Sequence, residues 1–386
     1  MSGSMRKPLE LHVLGLEPRD GRPDADSGFS SPTWTWPSSD AEAGQPLPRL
    51  LAGHYVAPPG NAEAAENDCR LDDPDRQALA LLESKPPAEI DAITRALGDW
   101  RLDGGTRAAF RERVGQWQAA GFTRLLCFDP VHLKAETDHA ITLGPRFLGL
   151  DAETLDSLLD ELNGWLAADG MRVERIGRQL YLLARATAGG VGPAHVDLTR
   201  AGAPLACLLN RNAGVFLDER HSEPLLRQWL TEVQMWLYPQ PFNDQRAARG
   251  EPILNSFWPH GMVELSKGLP AERAETALII SDSPAVLARH DAIVWHGASV
   301  EQVARSLESR RSVRVVLTET AWCRLEGDLG GFQRELAGID AWLSRLLDRT
   351  PGLSITLEDG RGGQWQKPGV LARWGRRIAA RWRKRA

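Results

Sequence analysis

Apolar residues along this chain recur with two periods, which predicts a protein in which helices and short strands alternate. Between 150 and 168, leucines at three- and four-residue spacing indicate one buried face of a helix. Short runs of aliphatic and β-branched residues are typical of buried strands. The predicted strands are 9–16, 123–128, 171–175, 179–183, 276–280, 312–318 and 353–357, and the predicted helices are 73–83, 87–97, 106–119, 150–168, 223–238, 284–290, 300–307 and 330–347.

The order of these elements favours an α/β fold, with a mixed sheet and flanking helices. Composition divides the chain into four expected parts. Residues 1–48 hold the first strand and a loop rich in Pro and Ser, and residues 49–200 form an N-terminal α/β part. Residues 201–365 form a C-terminal α/β part that carries the densest polar motif, and residues 366–386 are a basic tail.

Overall composition narrows the class of protein without indicating a reaction. The 386 residues are 42% hydrophobic and 25% charged, which is typical of a globular protein. A net charge of -5 argues against wholesale binding of nucleic acid, so there is no strong nucleic-acid signal. No apolar run approaches the ~18 residues of a membrane span, and the N-terminus lacks the apolar core of a signal peptide. We therefore expect a cytoplasmic protein, which the tail could hold at the periphery of the inner membrane.

The tail differs from the rest of the chain in its charge. It contains eight Lys or Arg residues and no acidic residue, and its apolar side chains recur along one side of an expected helix. This pattern predicts a basic amphipathic helix that lies on an anionic membrane surface or on an acidic partner. The alternative is a solvated terminus whose tryptophans pack on the protein's own core, and RNA or DNA also stays open. The expected surface-binding residues are Arg373, Trp374, Arg376, Arg377, Arg381 and Trp382.

The densest group of polar side chains lies between 232 and 261, after an amphipathic helix that Pro239 and Pro241 end. Arginine offers a rigid fork for phosphate or carboxylate oxygens, and asparagine can orient the remaining oxygens, so this segment could clamp an anion. The alternative is that Asn243 caps a short helix over 244–249 that ends at Gly250. The candidate ligand-binding residues are Asn243, Arg246, Arg249, Asn255, Ser256, Trp258 and His260.

The second half of this segment is expected to be a short strand and a turn. An apolar pair at 253–254 predicts the strand, which leads into a Pro-His-Gly turn ending at Gly261. Near that turn, Asn255 and Ser256 could point into a cleft. The alternative is that Asn255 only satisfies backbone groups at the turn. A histidine there could transfer protons. The candidate catalytic residues are His260 and Ser256.

An aspartate and a histidine follow the predicted strand at 123–128. Asp129 and His132 are separated by Pro130, which we expect to fix a turn. The two side chains could orient one another, or they could only stabilise the buried turn.

Two further places carry groups of interest. His195 and Asp197 alternate along an expected strand and so share a face, which makes them a candidate pair of metal ligands. Asp282 ends a predicted strand, a favoured position for sites in α/β sheets. The alternative is that Asp282 or Ser283 caps the helix that begins at Pro284.

These motifs resemble those of the RpfE-type regulatory proteins, a bacterial family often described as phosphoglycerate-mutase-like. That family is similar to the archaeal-type cofactor-independent phosphoglycerate mutases of the alkaline phosphatase superfamily, which use a two-metal site and a Ser or Thr nucleophile. The resemblance implies an alkaline-phosphatase-like or phosphoglycerate-mutase-like core, and it extends over most of 45–320. Its residues are LPRLL at 47–51, the 129–133 and 150–171 segments, the start at 232–235, and the motif positions Asp129, His132, Asn243, Arg246, Gly250, Asn255, Ser256, Trp258 and Gly261.

The chain departs from the family pattern near the expected chemistry. Gln-Pro-Phe-Asn at 240–243 replaces the common His-Pro-Val-Asn, and His-Gly-Met at 260–262 replaces Trp-Gly-Gly. A two-metal site needs roughly six or seven carboxylate and histidine ligands. The nearest aspartate after the first strand is Asp20, and the C-terminal half offers scattered histidines such as His290 and His296. We therefore expect no metal site and no cofactor.

Three hypotheses about function follow. The leading one is a non-catalytic regulatory or interaction protein, whose target is an unknown protein or a small anionic ligand. The alternative is a divergent phosphomutase or phosphatase that requires divalent metal, in which Arg246 and Arg249 grip phosphate and His260 transfers protons. The third is association with a membrane or with nucleic acid through the tail.

Overall fold

The computed structural model describes residues 9–14, 54–56, 73–83, 85, 87, 89–135, 140–185, 202–211, 224–350, 353, 355–358 and 364–366. The predicted loop at 17–48, the His195 and Asp197 pair and the basic tail from 367 onward lie outside these described residues. Within the described part of the chain, no helix is long and apolar enough to cross a membrane.

Helices and strands alternate as the apolar pattern predicts, and the mixed α/β class is confirmed. The strands are β1 (Leu9–Val13), β2 (His54–Val56), β3 (Phe122–Ala135), β4 (Ala140–Leu143), β5 (Met171–Ile176), β6 (Gln179–Arg185), β7 (Ser256–Glu264), β8 (Leu278–Ser281), β9 (Ala292–Val294), β10 (Val313–Leu317), β11 (Ile355–Glu358) and β12 (Gln364–Gln366). The helices are α1 (Pro74–Leu82), α2 (Ala92–Leu102), α3 (Arg107–Ala119), α4 (Pro145–Leu148), α5 (Ala152–Leu166), α6 (Leu205–Leu208), α7 (Pro224–Leu237), α8 (Pro241–Ala248), α9 (Pro284–Arg289), α10 (Val300–Glu308), α11 (Glu319–Glu326) and α12 (Leu329–Arg349).

The larger sheet has seven strands in the order β2-β12-β11-β1-β10-β8-β9. Its five strands from β11 to β9 run parallel, and β2 and β12 join antiparallel at one edge. The parallel strands are runs of mostly aliphatic residues because helices cover both of their faces. Helices α10 and α12 pack on one face, and α1 and α9 pack on the other.

The smaller sheet is antiparallel, in the order β4-β3-β6-β5, with β7 also paired to β3. Helices α5 and α7 cover one face, and α2 and α3 cover the other. The strands of this sheet run from 122 to 264, whereas the parallel sheet draws on both ends of the described chain. The division at 48, 200 and 365 stays a prediction.

The prediction of a turn at Pro130 is wrong, because β3 continues to Ala135. Proline is tolerated there for a specific reason. The ladder between β3 and β6 ends at Cys127, and the ladder with β4 begins at His132. Pro130 therefore lies where β3 has β7 as its one described neighbour, so the missing N–H need not break a ladder.

The predicted strand at 253–254 and the Pro-His-Gly turn are also wrong. Strand β7 begins only at Ser256 and carries Pro259 and His260 within it. The chain does bend at Gly261, whose φ of 64° lies in the left-handed region, and the register with β3 shifts there. A side chain at this bulge would lie 3.3 Å from the Ile90 carbonyl oxygen, so glycine suits both the conformation and the space.

Helix α2 lies between the two sheets and joins them. Its apolar residues pack with the antiparallel sheet, and Gly98 lies so close to Pro284 of α9 that a side chain there would overlap the backbone. The helix was predicted at 87–97 but begins at Ala92. Asp91 accepts a hydrogen bond from the Thr94 backbone N–H, and this cap fixes the start.

Candidate functional site

The polar segment at 243–261 folds onto its own backbone. Asn243 is buried, and its Nδ2 donates to the carbonyl oxygens of Leu237 at 3.0 Å and Leu254 at 2.8 Å. Its Oδ1 accepts from the Leu254 N–H at 2.9 Å. Asn243 lies inside α8, not at its start, so the predicted cap is wrong. Pro241 begins that helix two residues before Asn243, and Gly250 follows it in the left-handed region.

The two arginines of the segment share one carboxylate. Arg246 is buried and donates to the carbonyl oxygens of Pro252, at 2.8 Å, and Leu148. Its Nη1 lies 3.4 Å from Glu251. Arg249 is exposed and forms a two-pronged pair with Glu251, at 2.8 and 2.9 Å. The guanidinium groups that could grip an anion are therefore held by the chain's own groups.

The end of the segment fastens β7 to its surroundings. Asn255 exchanges two hydrogen bonds with the backbone of Leu133, at 2.8 and 3.0 Å. Trp258 donates from Nε1 to the Ala203 carbonyl oxygen at 2.9 Å. Ser256 is buried, and its hydroxyl donates to the Phe257 carbonyl oxygen at 3.4 Å. Each of these predicted ligand-binding residues has a protein partner.

His260 and Asp129 form a buried acid–imidazole pair. His260 Nε2 lies 2.7 Å from Asp129 Oδ2, and the two side chains are 3% and 10% exposed. They meet diagonally across β3 and β7, because Cys127 faces His260 in the register. A carboxylate on one imidazole nitrogen fixes the tautomer, which suits proton transfer.

The predicted contact between Asp129 and His132 is absent. Residues three apart on a strand point to opposite faces, so the two side chains diverge once Pro130 lies within β3. His132 instead places Nδ1 2.8 Å from the Ile253 carbonyl oxygen.

A charged network lies next to this pair, between the two sheets. Arg95 of α2 forms ion pairs of 2.7 Å with Asp73 and with Asp75. Burial acts to lower the pKa of Arg95, but the two carboxylates outweigh it and raise that pKa well above its ordinary value. Burial raises the pKa of Asp75, and the Ser283 hydroxyl donates to that carboxylate at 2.6 Å. The charge of Asp129 also acts on Arg95, so the network extends to the acid–imidazole pair.

A second buried acid lies one turn further along α2. Tyr181 of β6 donates a hydrogen bond to Asp99. Burial raises the pKa of Asp99 to about 8, against the effect of that hydrogen bond. This carboxyl group therefore carries its proton at neutral pH.

The carboxyl edge of the parallel sheet holds Asp282 at the end of β8. Asp282 accepts hydrogen bonds from the Thr318 N–H at 2.7 Å, the Thr318 hydroxyl at 2.9 Å and the Glu319 N–H at 3.1 Å. It therefore caps α11, not the helix that follows it, which Ser283 caps through the Val286 N–H. Burial raises the pKa of Asp282 to about 7.

Helix α11 joins this edge to the antiparallel sheet. Arg146 lies 2.6 Å from Glu319 and 3.4 Å from Glu326. Burial raises the pKa of Glu326 to about 7, with Arg146 opposing that shift and Asp129 adding to it. Trp322 of α11 lies near Arg95, and its ring centroid is 6.0 Å from the Arg95 guanidinium carbon.

We define the junction cluster as the charged and titratable groups that lie along these contacts between the two sheets. Within the described residues, no three His, Cys, Asp or Glu side chains come close enough together to hold a metal ion. The sequence indicated Asp129, His260 and Asp282, but not the cluster's other members. One signal could have found Arg95 and Asp99, because both interrupt the apolar positions of α2. The junction cluster consists of Asp73, Asp75, Arg95, Asp99, Asp129, Arg146, Tyr181, His260, Asp282, Glu319 and Glu326.

Comparisons with known proteins find only distant likenesses. No protein-family model matches the chain, and no curated protein matches it. A cofactor-independent phosphoglycerate mutase from Thermoplasma acidophilum DSM 1728 is 14% identical, with 94% of this chain and 90% of that chain covered and a TM-score of 0.30. The PH0037 protein from Pyrococcus horikoshii is 13% identical, with 91% and 81% covered and a TM-score of 0.39. Membership of the RpfE-type family stays a prediction.

Proposed function

We propose that this chain is a non-catalytic regulatory or interaction protein, whose target is a partner protein or a small anionic ligand. The observation that carries the proposal is the carboxyl edge of the parallel sheet, where the polar side chains bind one another and the backbone. In α/β folds this edge is the usual place for a substrate.

The start of α11 illustrates the point. A helix that begins directly after a strand offers free N–H groups to an anion. Here the Asp282 carboxylate takes those N–H groups, so the protein's own acid occupies the position that a phosphate would take. Nearby, Thr320 donates to the Leu14 carbonyl oxygen and Ser281 donates to the Val316 carbonyl oxygen. These bonds favour a scaffold over a catalytic edge.

The segment at 243–261 supports the same proposal. The buried amide of Asn243 and the buried guanidinium of Arg246 bind carbonyl oxygens of Leu148, Pro252 and Leu254. A residue that holds two loops together in this way would have to break those bonds before it could grip a phosphate. We therefore assign the segment a structural role, as a fastening between α8, β7 and α4.

The test is an activity and binding assay on the full chain. Phosphomonoesters, including 2- and 3-phosphoglycerate and p-nitrophenyl phosphate, are incubated with the protein with and without Mg²⁺, Mn²⁺ and Zn²⁺. We expect no turnover above that of the buffer, while calorimetric titration of the same esters tests for binding alone. Turnover above that of the buffer, with or without metal, or two divalent ions bound per chain on metal analysis, would overturn the proposal.

The second candidate is a divergent phosphomutase or phosphatase, and the Asp129–His260 pair is the observation that favours it. A buried carboxylate within 2.7 Å of an imidazole is an arrangement that serves general acid–base catalysis. This candidate predicts that His260→Gln abolishes turnover of a phosphate ester while the circular dichroism spectrum and the unfolding midpoint stay close to those of the parent. Equal turnover in parent and variant removes His260 from any catalytic role.

A further inference from the structure

Helix α7 ends in large apolar side chains that are exposed in the described part of the chain. Met235 is 71% exposed and Tyr238 is 81% exposed, although both are large. Beside them Trp236 stacks on Trp165 of α5, with ring centroids 5.7 Å apart and planes 23° from parallel. We call Trp165, Met235, Trp236 and Tyr238 the aromatic patch. Exposed apolar groups that cluster in this way mark interaction surfaces more often than single exposed residues do.

The side of α5 that faces solvent next to the patch is acidic. The helix 152–166 contains four Asp or Glu residues and no Lys or Arg. Asp156 pairs with Arg175 at 2.8 Å. Glu153, Asp160 and Glu161 are exposed and form no ion pair within the described part of the chain. Glu161 lies four residues before Trp165, so the two side chains are neighbours on one helix face.

An apolar patch with an uncompensated negative rim fits a partner that is both aromatic and basic. Such a surface repels an anionic membrane or a nucleic acid, whose charge has the same sign. The sequence holds one segment with the complementary chemistry. Residues 367–386 carry eight Lys or Arg residues and no acid, with Trp374 and Trp382 among them.

We propose that the aromatic patch and the acidic face of α5 dock the chain's own segment 367–386. The tryptophans of the segment cover Met235 and Tyr238, and its arginines lie against Glu161 and Asp160. Because the segment is tethered, its effective concentration at the patch exceeds that of a separate molecule, which favours docking within one chain. The inference does not depend on the proposed function, since a binding protein or an enzyme could hold its tail in this way.

The test is amide hydrogen exchange of the full chain, read by mass spectrometry on peptides from 367–386. We expect exchange of these amides to be slowed about tenfold or more relative to the rates of an unstructured peptide. In the double variant Glu161→Lys, Tyr238→Ser the slowing should be lost. Glu161 and Tyr238 are exposed, so we expect the fold to tolerate both substitutions. Parent-like hydrogen exchange within β10 and α12 would show that the variant is folded.

A matched pair of controls carries the same changes elsewhere. Asp348→Lys reverses an exposed acid on α12, and Phe147→Ser removes an apolar side chain that is 49% exposed. Slowed exchange of the tail should survive both substitutions, and it should weaken as salt is raised because the charged contacts are exposed.

Three outcomes would overturn the inference. Exchange of the tail at unstructured rates in the parent protein is the first. Slowed exchange that persists in the double variant is the second. The third is slowed exchange that appears only with phosphatidylserine vesicles, or that rises with protein concentration, because a membrane or a second copy would then be the partner.

Discussion

Two buried polar regions of this molecule differ in what their side chains bind. In the segment at 243–261, the partners of Asn243, Arg246 and Asn255 are mainly backbone carbonyl and amide groups. In the junction cluster, Arg95 and Arg146 bind carboxylates, and Asp99 binds a phenol. The first region therefore fixes the path of the chain, and the second holds charge between two sheets.

The difference has energetic consequences. A buried side chain that hydrogen-bonds the backbone contributes on the order of 1 kcal/mol per bond, whatever the pH. A buried ion pair has a small net effect while it is intact, but removing one partner leaves an uncompensated charge that is costly. We therefore expect the side chains that bind backbone groups to respond to mutation alone and the junction cluster to respond both to mutation and to pH.

The largest effect is expected for Arg95→Ala. This change leaves Asp73 and Asp75 without the guanidinium that lies 2.7 Å from each. By analogy with other broken buried pairs, we expect a loss of about 3–5 kcal/mol in the free energy of unfolding. Urea or guanidinium unfolding followed by circular dichroism measures it. Arg111→Ala on the exposed face of α3 is the control, and equal losses in both variants would mean that the pairs of Arg95 contribute nothing specific.

The second effect is expected for Asn243→Ala. The substitution removes three hydrogen bonds and leaves backbone groups of Leu237 and Leu254 without their partner in a buried place. We expect a loss of about 3 kcal/mol in the same unfolding measurement. Asp244→Ala changes the exposed neighbour in the same helix and should have little effect. A parent-like Asn243→Ala protein would show that the segment is not a fastening.

The elements of the fold could be predicted largely from the apolar pattern. Helix α5, strand β10 and helix α12 appear close to their predicted bounds, because each has an apolar face with a clear period. The prediction failed where a proline lies within a strand. At Pro130 and Pro259 the local rule indicates a turn, but the neighbouring strands of the sheet leave room for a residue that lacks an N–H.

The site was harder to predict than the fold, for a reason visible in the residues. Asp282 caps α11 across 36 positions of the chain, and Arg95 joins the successive helices α1 and α2 across 20 positions. The spacing of residues along the chain does not indicate which of them will form such pairs. The acid–imidazole pair of Asp129 with His260 spans 131 positions, whereas the predicted pair of Asp129 with His132 spans three.

The third prediction concerns pH. Burial raises the pKa of Asp99 from 3.8 to about 8. The unfolded chain loses this proton near pH 4, whereas the folded chain keeps it until about pH 8. The folded state therefore binds more protons across this window, and its stability falls as the pH rises through it and levels off above. Asp282 and Glu326 act in the same direction up to about pH 7.

Asp99→Asn isolates this contribution. The amide oxygen still accepts the hydrogen bond of Tyr181, but the group no longer titrates. From pH 6 to pH 7 the unfolding free energy should fall less in the variant than in the parent. We expect the difference to be about 1.4 kcal/mol, the value for one proton per pH unit. Denaturant unfolding at both pH values gives the comparison. An identical pH dependence in the two proteins would show that Asp99 is ionised in the folded state.

The smallest effect is expected for Arg249→Ala, and it separates the two interpretations of the 243–261 segment. Arg249 is exposed and pairs with Glu251. Glu251 also lies 3.4 Å from Arg246, so it keeps one guanidinium partner after the substitution. If the segment is a fastening, the unfolding midpoint should stay unchanged within error, because exposed pairs contribute little. If the segment instead clamps an anion, Arg249→Ala should weaken the calorimetric binding of a phosphomonoester while stability stays constant. Arg249→Lys completes the test, since a lysine keeps the charge but not the fork that a phosphate clamp uses.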